Sequence, residues 1–504
     1  MEFFSYIFLS FFLGISFHGL LYYTVQISRR RKLPPGPVGL PVVGSLFQIG
    51  KRPHESLTEL AKTHGPLMTL QLGFVTTIVA SSADMAKEIL QKNDQAFSGR
   101  TVPDSVTGET DYQVSVVWIP TESRWRNIRR LCNTQIFTSQ KLDALQGLRH
   151  QMMEEMVSYV KDVAGAGEAV NIGKLAFANS LNLLSNTIFS VHLADYKSET
   201  VQEFKDAVGS IMENDGKPNI ADFFPWLKPF DPQGIRSHAK VAYDRIHALC
   251  NGFIDRRLQS IESGLPRSGD FLDALLDYSH ENGSDFNRQV IKVLLTDLFV
   301  GGTDTSSTTI EWAMTELLRH PSIMAKARRE LAEKLGDRQK VEESDIPRLP
   351  YLQAVVKETM RLHPTVPLLL PHRAETDVEL LGFHVPKHTQ VLVNTWAIFR
   401  DPNLWEKPTC FIPERFLESE VDFRGRDFSY IPFSAGRRIC PGLPLAVRMV
   451  NLVLASLVHR FEWKLPEGMS PEKMDISDKF GVTLQKAVPL LAIPIVGDGN
   501  ISLT

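Results

Sequence analysis

Residues 433–442 read Phe-Ser-Ala-Gly-Arg-Arg-Ile-Cys-Pro-Gly, and this stretch predicts how the rest of the 504-residue chain is arranged. Its centre is Cys440. Gly436 and Gly442 can adopt positive φ and let the backbone approach a flat group closely. The stretch therefore has the composition of a loop that presents one sulfur atom.

Two neighbours of Cys440 favour the negatively charged form of that sulfur. Arg438 offers a permanent cation beside a group that must be a thiolate to bind a metal. Pro441 can begin a helix directly after the cysteine. The sulfur would then lie at a helix N-terminus, where the helix dipole favours negative charge.

The overall composition sets the outer limits of the fold and function. The chain is 43% hydrophobic with a net charge of −3, so it could form one large domain or two to three ordinary ones, and no charge excess indicates nucleic acid. The other cysteines, Cys132, Cys250 and Cys410, have no metal-ligand spacing and are interpreted as small apolar residues. Four cysteines in this length give no disulfide framework, which suits a reducing compartment.

All five fixed positions of the haem-binding signature Phe-x-x-Gly-x-Arg-x-Cys-x-Gly are filled, by Phe433, Gly436, Arg438, Cys440 and Gly442. On these residues the chain resembles a cytochrome P450, and chance coincidence is on the order of one in a million start points. The resemblance implies haem b, with the Cys440 thiolate as axial ligand of the iron. It also implies a mainly α fold with a smaller β-rich region, preceded by one N-terminal transmembrane helix.

Residues 3–26 are almost wholly apolar, and four basic residues follow at 29–32. A helix of about 24 residues spans about 36 Å, enough for a bilayer core. A cleaved signal peptide is the competing interpretation, but its basic residues would come first. The charge order predicts an uncleaved, single-pass anchor in the endoplasmic reticulum with the catalytic domain in the cytosol.

Three segments follow from this reading: an anchor with its basic stop at 1–32, a Pro-rich hinge at 33–37, and a haem-thiolate monooxygenase domain at 38–504. The hinge is expected to be a stiff spacer. Periodicity predicts further helices and strands. The helices are at 54–63, 83–97, 284–320 and 351–362, and the strands at 67–72, 76–80, 378–383 and 390–395, with a turn at 386–387.

Trp125 and Arg129 are four residues apart in a predicted helix and share one face of it. Alone, this pattern is typical of a solvated basic helix. The resemblance implies that both side chains contact a haem propionate. Three further arginines, Arg124, Arg126 and Arg130, would then form a cationic docking surface.

Residues 301–309 are poor helix formers in the middle of a long apolar helix, which indicates either a functional site or a tolerated kink. The sequence matches the P450 pattern Ala/Gly-Gly-x-Asp/Glu-Thr-Thr/Ser through Gly301, Gly302, Asp304, Thr305 and Ser306. The resemblance implies that the small residues leave room for O₂, that the Thr305 hydroxyl holds a proton there, and that Asp304 relays protons from solvent.

A second group of charged residues is expected to be structural. Glu358 and Arg361 form a Glu-x-x-Arg pair that alone would be worth under about 1 kcal/mol. By resemblance, Arg415 joins them in a buried triad. Plant relatives usually have Arg where this chain has His372, so the resemblance leaves open whether His372 or Arg373 contacts a propionate.

Electrons must come from a partner, because the chain contains neither a Gly-x-Gly-x-x-Gly nor a Walker sequence. By resemblance the donor is the membrane-bound NADPH-cytochrome P450 reductase, with cytochrome b5 as a second candidate and membrane lipid as a further contact. No zinc-protease pattern is present. The substrate pocket is expected to be largely apolar. Its predicted segments are residues 100–118, 298–305, 365–370 and 480–484.

Three stretches, at 98–101, 231–235 and 480–483, resemble the plant branch that holds geraniol hydroxylase and the ferruginol-forming oxidases. The expected reaction is NADPH- and O₂-dependent hydroxylation of a small terpenoid. Oxidation of a phenolic, a coumarin or an alkaloid by the same chemistry is an alternative. Two further alternatives are a haem-thiolate isomerase or dehydratase and a non-catalytic haem sensor. The intact pair of Asp304 and Thr305 argues against both.

Overall fold

The computed structural model describes residues 33–496 except 109, 194 and 337. The predicted membrane anchor at 1–32 lies outside the described residues. Within the predicted hinge, the Pro35 carbonyl accepts a hydrogen bond from the Thr69 amide at 2.8 Å. A Cβ on Gly36 would lie 1.8 Å from the Thr69 carbonyl oxygen, so this segment packs closely against the first strand.

The described residues are mainly helical, as the sequence predicts. Eleven of the described helices have eight or more residues. They are α1 (Pro53–His64), α2 (Ser123–Gln135), α3 (Gln146–Ala166), α4 (Ile172–Phe189), α5 (Glu199–Gly216), α6 (Ile235–Glu262), α7 (Phe271–Asn282), α8 (Arg288–Arg319), α9 (Pro321–Leu335), α10 (Pro350–Leu362) and α11 (Leu443–Arg460). Shorter helical turns include Leu46–Ile49, Ala83–Lys87, Ser139–Ala144, Ile220–Phe223, Thr395–Ile398 and a π-helical turn at Glu88–Lys92.

The strands form four small sheets. The strands are β1 (Leu67–Leu72), β2 (Val75–Ala80), β3 (Gly99–Arg100), β4 (Val170–Asn171), β5 (His372–Arg373), β6 (Val378–Leu380), β7 (Phe383–Val385), β8 (Gln390–Val393), β9 (Phe461–Lys464), β10 (Asp478–Lys479), β11 (Gln485–Lys486) and β12 (Leu491–Val496). The largest sheet has the order β1-β2-β8-β5-β3, in which only the β2 and β8 pair is parallel. The others are β4-β12-β9, β6-β7 and β10-β11.

Helix α8 runs through the core and packs along α4 and α11. Helix α4 carries no charged residue between Leu175 and Phe189, and nearly all of its positions are buried. A helix without charged residues that is buried on nearly every face is a core helix. Helix α11 is the one described helix long and apolar enough to cross a membrane, but it too is mostly buried.

Most predicted elements are confirmed, but several boundaries were wrong. The helix predicted at 284–320 begins at Arg288, after a separate 3₁₀ turn, and the strand predicted at 390–395 ends at Val393. Residues 378–383 form a tight hairpin, because Leu381 and Gly382 adopt positive φ of 53° and 82° and reverse the chain between β6 and β7. The helix predicted at 83–97 ends at Lys92 with a π-helical turn. Helix α8 stays continuous through its poor helix formers, and the Thr305 and Thr309 hydroxyls donate to carbonyls one turn back, at 2.7 and 2.9 Å.

The predicted triad of Glu358, Arg361 and Arg415 is present at the start of the segment that leads to Cys440. Arg361 donates to both Glu358 oxygens, at 2.7 and 2.8 Å, and Arg415 donates to one at 3.1 Å. Arg361 also donates to the Phe399, Pro408 and Cys410 carbonyls, at 2.6, 2.7 and 3.0 Å. The Glu358 and Arg361 side chains are fully buried, and the two arginines share the one Glu358 carboxylate.

Replacing Glu358 with Gln should destabilise the fold by about 3–5 kcal/mol, because two guanidinium groups lose the carboxylate they share in a buried site. Glu59→Gln is the matched control, since Glu59 pairs with Lys62 at the same i,i+3 spacing on the surface. That control should cost under about 1 kcal/mol. Urea unfolding of both variants checks this, and equal midpoints would contradict a structural role for the triad.

Candidate active site

The loop that carries Cys440 is tightly constrained by its neighbours. Gly436 has φ of +66°, and a Cβ there would lie 1.8 Å from the Leu90 carbonyl oxygen. The Cys440 amide donates to the Phe433 carbonyl at 3.0 Å, which closes the loop. Only glycine fits at position 436, so the loop cannot take another path.

The electrostatics of the sulfur are set by opposing effects. Burial raises the pKa of the Cys440 thiol, whereas the amides of Gly442 and Leu443 and the positive charge of Arg129 favour the thiolate. These amides lie at the N-terminus of α11, so the predicted helix terminus is confirmed. The helix begins at Leu443, two residues later than the position predicted for Pro441, with Pro444 in its first turn.

Two expectations for the loop were wrong in detail. Gly442 has φ of −78°, so it does not need left-handed backbone. A Cβ there would lie 3.8 Å from Cys440 Sγ, so glycine keeps the space beside the sulfur free. The cation acting on Cys440 is Arg129, because Arg438 points elsewhere.

The Arg438 guanidinium is buried and binds backbone carbonyls. It donates to Ser98 at 2.9 Å, to Val116 at 3.3 Å and to Ile119 at 2.5 Å. Its Cζ lies 5.1 Å from the centre of the Trp125 ring. Burial and the neighbouring Arg129 lower the pKa of Arg438 to about 10.

Trp125 and Arg129 lie together on α2, as their spacing predicts, with Arg129 Cζ 5.9 Å from the Trp125 ring centre. Trp125 Nε1 donates to the Val116 carbonyl at 3.0 Å, and Arg129 Nη2 donates to the Ile439 carbonyl. Arg129 thus connects α2 to the residue next to Cys440. Trp125 and Arg438 share the Val116 carbonyl, which fixes them relative to each other.

Asp297 on α8 holds this shared peptide from the other side. Its carboxylate accepts hydrogen bonds from the Ser115 hydroxyl at 2.9 Å and from the Val116 amide at 2.9 Å. Burial raises the pKa of Asp297 to about 7, against the effect of these donors. Sequence reasoning missed this residue, whose partners lie more than 180 positions away.

The structure distinguishes His372 from Arg373. Strand alternation directs His372 inward, where Nδ1 contacts the Phe97 carbonyl at 2.7 Å and Nε2 is buried without a hydrogen-bond partner. Arg373 lies on the other face, one-third exposed, and its Nη2 pairs with Glu375 at 3.0 Å. Arg373 therefore does not join the buried cluster around Arg438.

Arg100 is a member of this cluster that the sequence reading assigned only to the substrate pocket. Strand β3 pairs it with His372 in β5. Its Nη1 donates to the Leu370 carbonyl at 2.7 Å, and its Nε is buried without a partner. Burial and Arg438 lower the pKa of Arg100 well below its usual range. A basic residue three positions after an aromatic residue was the only sequence signal.

The predicted proton-handling residues are adjacent on α8 but have different partners. The Thr305 hydroxyl donates to the Gly301 carbonyl at 2.7 Å. The Asp304 carboxylate is buried and accepts hydrogen bonds from the Thr483 hydroxyl at 2.6 Å and the Gln485 amide at 2.7 Å. Burial raises the pKa of Asp304, and these donors oppose that rise.

A mostly apolar cleft of about 320 Å³ lies between the largest sheet and residues 215–223. Three of the four predicted pocket segments line it, through residues 101–103, 367–370 and 480–482. The fourth, on α8, does not. Leu72 and Val75 of the β1 and β2 hairpin form a wall that sequence reasoning did not include.

The cytochrome P450 family profile matches residues 34–491 of this chain. The chain belongs to the cytochrome P450 family. It is similar to geraniol 8-hydroxylase of Swertia mussotii, at 50% identity over 96% of this chain and 98% of the relative. Geraniol 8-hydroxylase of Catharanthus roseus is 52% identical over 93% and 95% of the two chains. Drimenol monooxygenase of Persicaria hydropiper is 47% identical over 94% of each.

A solved structure of a zebrafish cytochrome P450 with progesterone has the same fold as this P450. The TM-score is 0.75 at 28% identity, covering 88% of this chain and 99% of that one. Members of the family contain a haem-thiolate iron cofactor, which receives electrons from a separate reductase. This P450 is a monooxygenase.

The residues present fit a haem group. Arg100, Arg129 and Arg438 are largely buried and, within the described part of the chain, none of them is in an ion pair with a carboxylate. Buried cations without a counter-ion are costly, and the haem propionates are anions that could complete them. The unpartnered His372 Nε2 and Arg100 Nε are free for the same purpose. Cys440 would supply the thiolate that such a group needs.

Replacing Cys440 with Ser should abolish the thiolate type of carbon monoxide difference spectrum, because a hydroxyl at this position stays neutral and cannot supply thiolate electron density to iron. Monooxygenase activity should fall to background. Cys410→Ser is the matched control, since Cys410 is an exposed free thiol in another loop. A normal thiolate spectrum in the Cys440 variant would disprove the ligand assignment.

Replacing His372 with Ala should speed haem loss by about tenfold, equivalent to one hydrogen bond to a charged group. Because Nδ1 contacts a carbonyl, only a protonated ring can donate from Nε2 to a propionate. A bound carboxylate should raise the pKa of His372 from its lowered value, so this contribution is present at low pH and is lost as pH rises. Haem transfer to a scavenging apoprotein across a pH range measures this effect.

Arg373→Ala provides the control for that measurement, because its partner is Glu375 on the opposite face of the strand. It should lose haem at nearly the wild-type rate at every pH. Faster loss in the Arg373 variant than in the His372 variant would reverse the assignment.

Proposed function

We propose that this P450 hydroxylates a small terpenoid alcohol. The observation that carries the proposal is the similarity to two enzymes named for geraniol, which are 50% and 52% identical to this chain over nearly its full length. The mostly apolar cleft agrees with it. A relative named for drimenol, another terpenoid alcohol, is nearly as similar. A mostly apolar cleft that also carries polar side chains suits a hydrocarbon skeleton with one hydroxyl.

The cofactor would be held by the groups described above. Cys440 would be the axial ligand, and Phe433, Gly436 and Gly442 would shape the loop around its sulfur. Arg129, Arg438, Arg100 and His372 would bind the propionates, with Trp125 fixing the two arginines beside it. Arg373 would contribute only through its ion pair with Glu375, and the strand geometry favours His372 for the propionate contact.

The overall reaction consumes one O₂, one NADPH and one proton, and releases the alcohol, water and NADP⁺. Bound haem iron supplies the activation of O₂ and of the carbon-hydrogen bond. The Thr305 hydroxyl would hold a proton at the O₂ side of α8, where Gly301 leaves open space. Asp304 would take protons from solvent and pass them to this hydroxyl.

The reductase supplies the electrons. Arg124, Arg126 and Arg130 are exposed on α2, and they would form a cationic surface for an acidic partner. We propose that cytochrome b5 can use this surface as well. Residues 1–32 would anchor the chain in the endoplasmic reticulum membrane, with the residues from 38 onward in the cytosol. Lipid would then contact the domain near residue 33.

Full-length protein reconstituted with NADPH-cytochrome P450 reductase should insert one oxygen atom into geraniol, drimenol or a related alcohol. The assay should include a simple phenol, a coumarin and an alkaloid as matched alternatives. Mass spectrometry with ¹⁸O₂ measures the inserted atom. Labelled product from the terpenoid alcohols alone supports the proposal. Turnover of the aromatic compounds alone would overturn the substrate class, and reductase-independent conversion of a hydroperoxide would instead indicate an isomerase.

A further inference from the structure

The hairpin of β10 and β11 makes an unusual contact with α8. Asp304 receives both of its side-chain hydrogen bonds from this hairpin, one from Thr483 in the connecting loop and one from Gln485 at the start of β11. Both bonds are short, at 2.6 and 2.7 Å. The same loop carries Val482, which lines the cleft.

These two side chains are not needed to hold the loop in place. Its backbone is anchored by three other bonds: the Val482 amide to the Met212 carbonyl at 2.7 Å, the Leu484 amide to the Thr365 carbonyl at 2.8 Å, and the Trp312 indole to the Leu484 carbonyl at 3.1 Å. Burying a carboxylate costs free energy even when it is hydrogen-bonded. A hairpin that only packed against α8 would not require one, so the acid itself has a use.

The direction of Asp304 limits what it can do. Consecutive side chains on an α-helix are about 100° apart around the axis. Asp304 faces the hairpin, whereas the Thr305 hydroxyl lies along the helix against Gly301. A proton on Asp304 therefore reaches the Thr305 face only if the side chain turns or if a neighbouring group carries the proton.

Thr483 and Gln485 differ in which protonation state of Asp304 they can hold. A hydroxyl both donates and accepts, whereas an amide NH₂ only donates. When Asp304 is ionised, both residues donate to it. When Asp304 is protonated, the Thr483 bond can reverse, so that the hydroxyl accepts from the carboxyl group. Thr483 therefore keeps its hydrogen bond in both states, whereas the Gln485 NH₂ supports only the ionised state.

Two other charged groups act on Asp304. Lys205 on α5 lowers its pKa, and Glu311, seven residues further along α8, is also a buried acid with a raised pKa. Glu311 accepts a hydrogen bond from the Leu490 amide at 2.8 Å. The nearest support for ionised Asp304 therefore comes from the hairpin.

We propose that Thr483 and Gln485 are positioning residues for proton supply: both hold ionised Asp304 at the hairpin, and the Thr483 hydroxyl also holds the protonated side chain until it turns towards the Thr305 face. This inference rests on the proposed function, in which Asp304 relays protons. It adds a second segment of the chain, nearly 180 residues away, to that relay.

The test compares Thr483→Val with Thr483→Ser in the reductase-reconstituted enzyme, using the best-converted alcohol of the panel above. Valine keeps the shape and removes the hydroxyl, and serine restores it. Thr315→Val is the matched control, because the Thr315 hydroxyl is buried on the same helix and donates only one turn back, to Glu311, at 2.7 Å. Product and hydrogen peroxide per NADPH are measured in H₂O and D₂O, since uncoupled turnover converts O₂, NADPH and a proton into peroxide and NADP⁺.

In the valine variant, the product formed per NADPH should fall about tenfold. This is a part of the rate factor of about 10²–10⁴ that positioned proton transfer contributes. Peroxide should rise in proportion, and the solvent isotope effect should increase. The carbon monoxide spectrum and the alcohol-induced spectral shift should not change. The serine and Thr315 variants should behave as the wild type.

Gln485→Met gives a second test that leaves the hydroxyl in place. Ionised Asp304 loses one hydrogen-bond donor in this variant, so its pKa should rise. The part of the pH profile of activity that follows the titration of Asp304 should then move to higher pH, and it should be absent in Asp304→Asn. Unchanged coupling and pH profile in the hairpin variants, with coupling lost in Asp304→Asn, would overturn this inference and leave the proposed relay standing. Unchanged coupling in Asp304→Asn as well would overturn the relay itself.

Discussion

Burial of three guanidinium groups without a paired carboxylate is the constraint on which the arrangement of this P450 depends. Arg100, Arg129 and Arg438 bind backbone carbonyls from segments that are far apart in sequence. Removing a cation from water costs several kcal/mol, and each carbonyl offsets a part of that cost. The strand β3, the helix α2 and the Cys440 loop must therefore all be in place before any one of these side chains is stable. An anionic cofactor would complete the set, which would tie haem binding to the assembly of this region.

The triad of Glu358, Arg361 and Arg415 shows the opposite condition. Its two arginines share a carboxylate, and the remaining donors of Arg361 reach three carbonyls. Nothing in that site is left to be satisfied by a ligand. The two buried groups differ in one respect: the triad contains a carboxylate, and the group of Arg100, Arg129 and Arg438 does not. The shared carboxylate holds the triad together within the chain, whereas three guanidinium groups without a carboxylate leave binding capacity for an anion.

The sequence was sufficient for the features that depend on local pattern. The Cys440 loop, the β1 and β2 hairpin and the continuous helix α8 follow from glycine positions, alternation and helical period. It failed where a contact joins distant segments. The direction of Arg438 is decided by carbonyls about 320 to 340 residues away, so a cation next to Cys440 in sequence is not the cation that acts on it. The choice between His372 and Arg373 likewise depends on strand alternation in a two-residue strand, whose inward face only the sheet defines.

Three buried acids on α8 follow a spacing that was visible in the sequence but had no meaning without the fold. Asp297, Asp304 and Glu311 are seven residues apart and therefore lie along one side of the helix, two turns from each other. Each receives hydrogen bonds from a different irregular segment. Asp297 and Glu311 accept from backbone amides, which fixes those segments to the helix. Asp304 differs, because in the described part of the chain both of its partners are side chains. A carboxylate held by side chains can exchange its hydrogen bonds without disturbing the backbone, and of the three acids it is the one next to Thr305. In the proposed function the same row of acids would thus serve two purposes, with the outer two fixing loops and the middle one relaying protons.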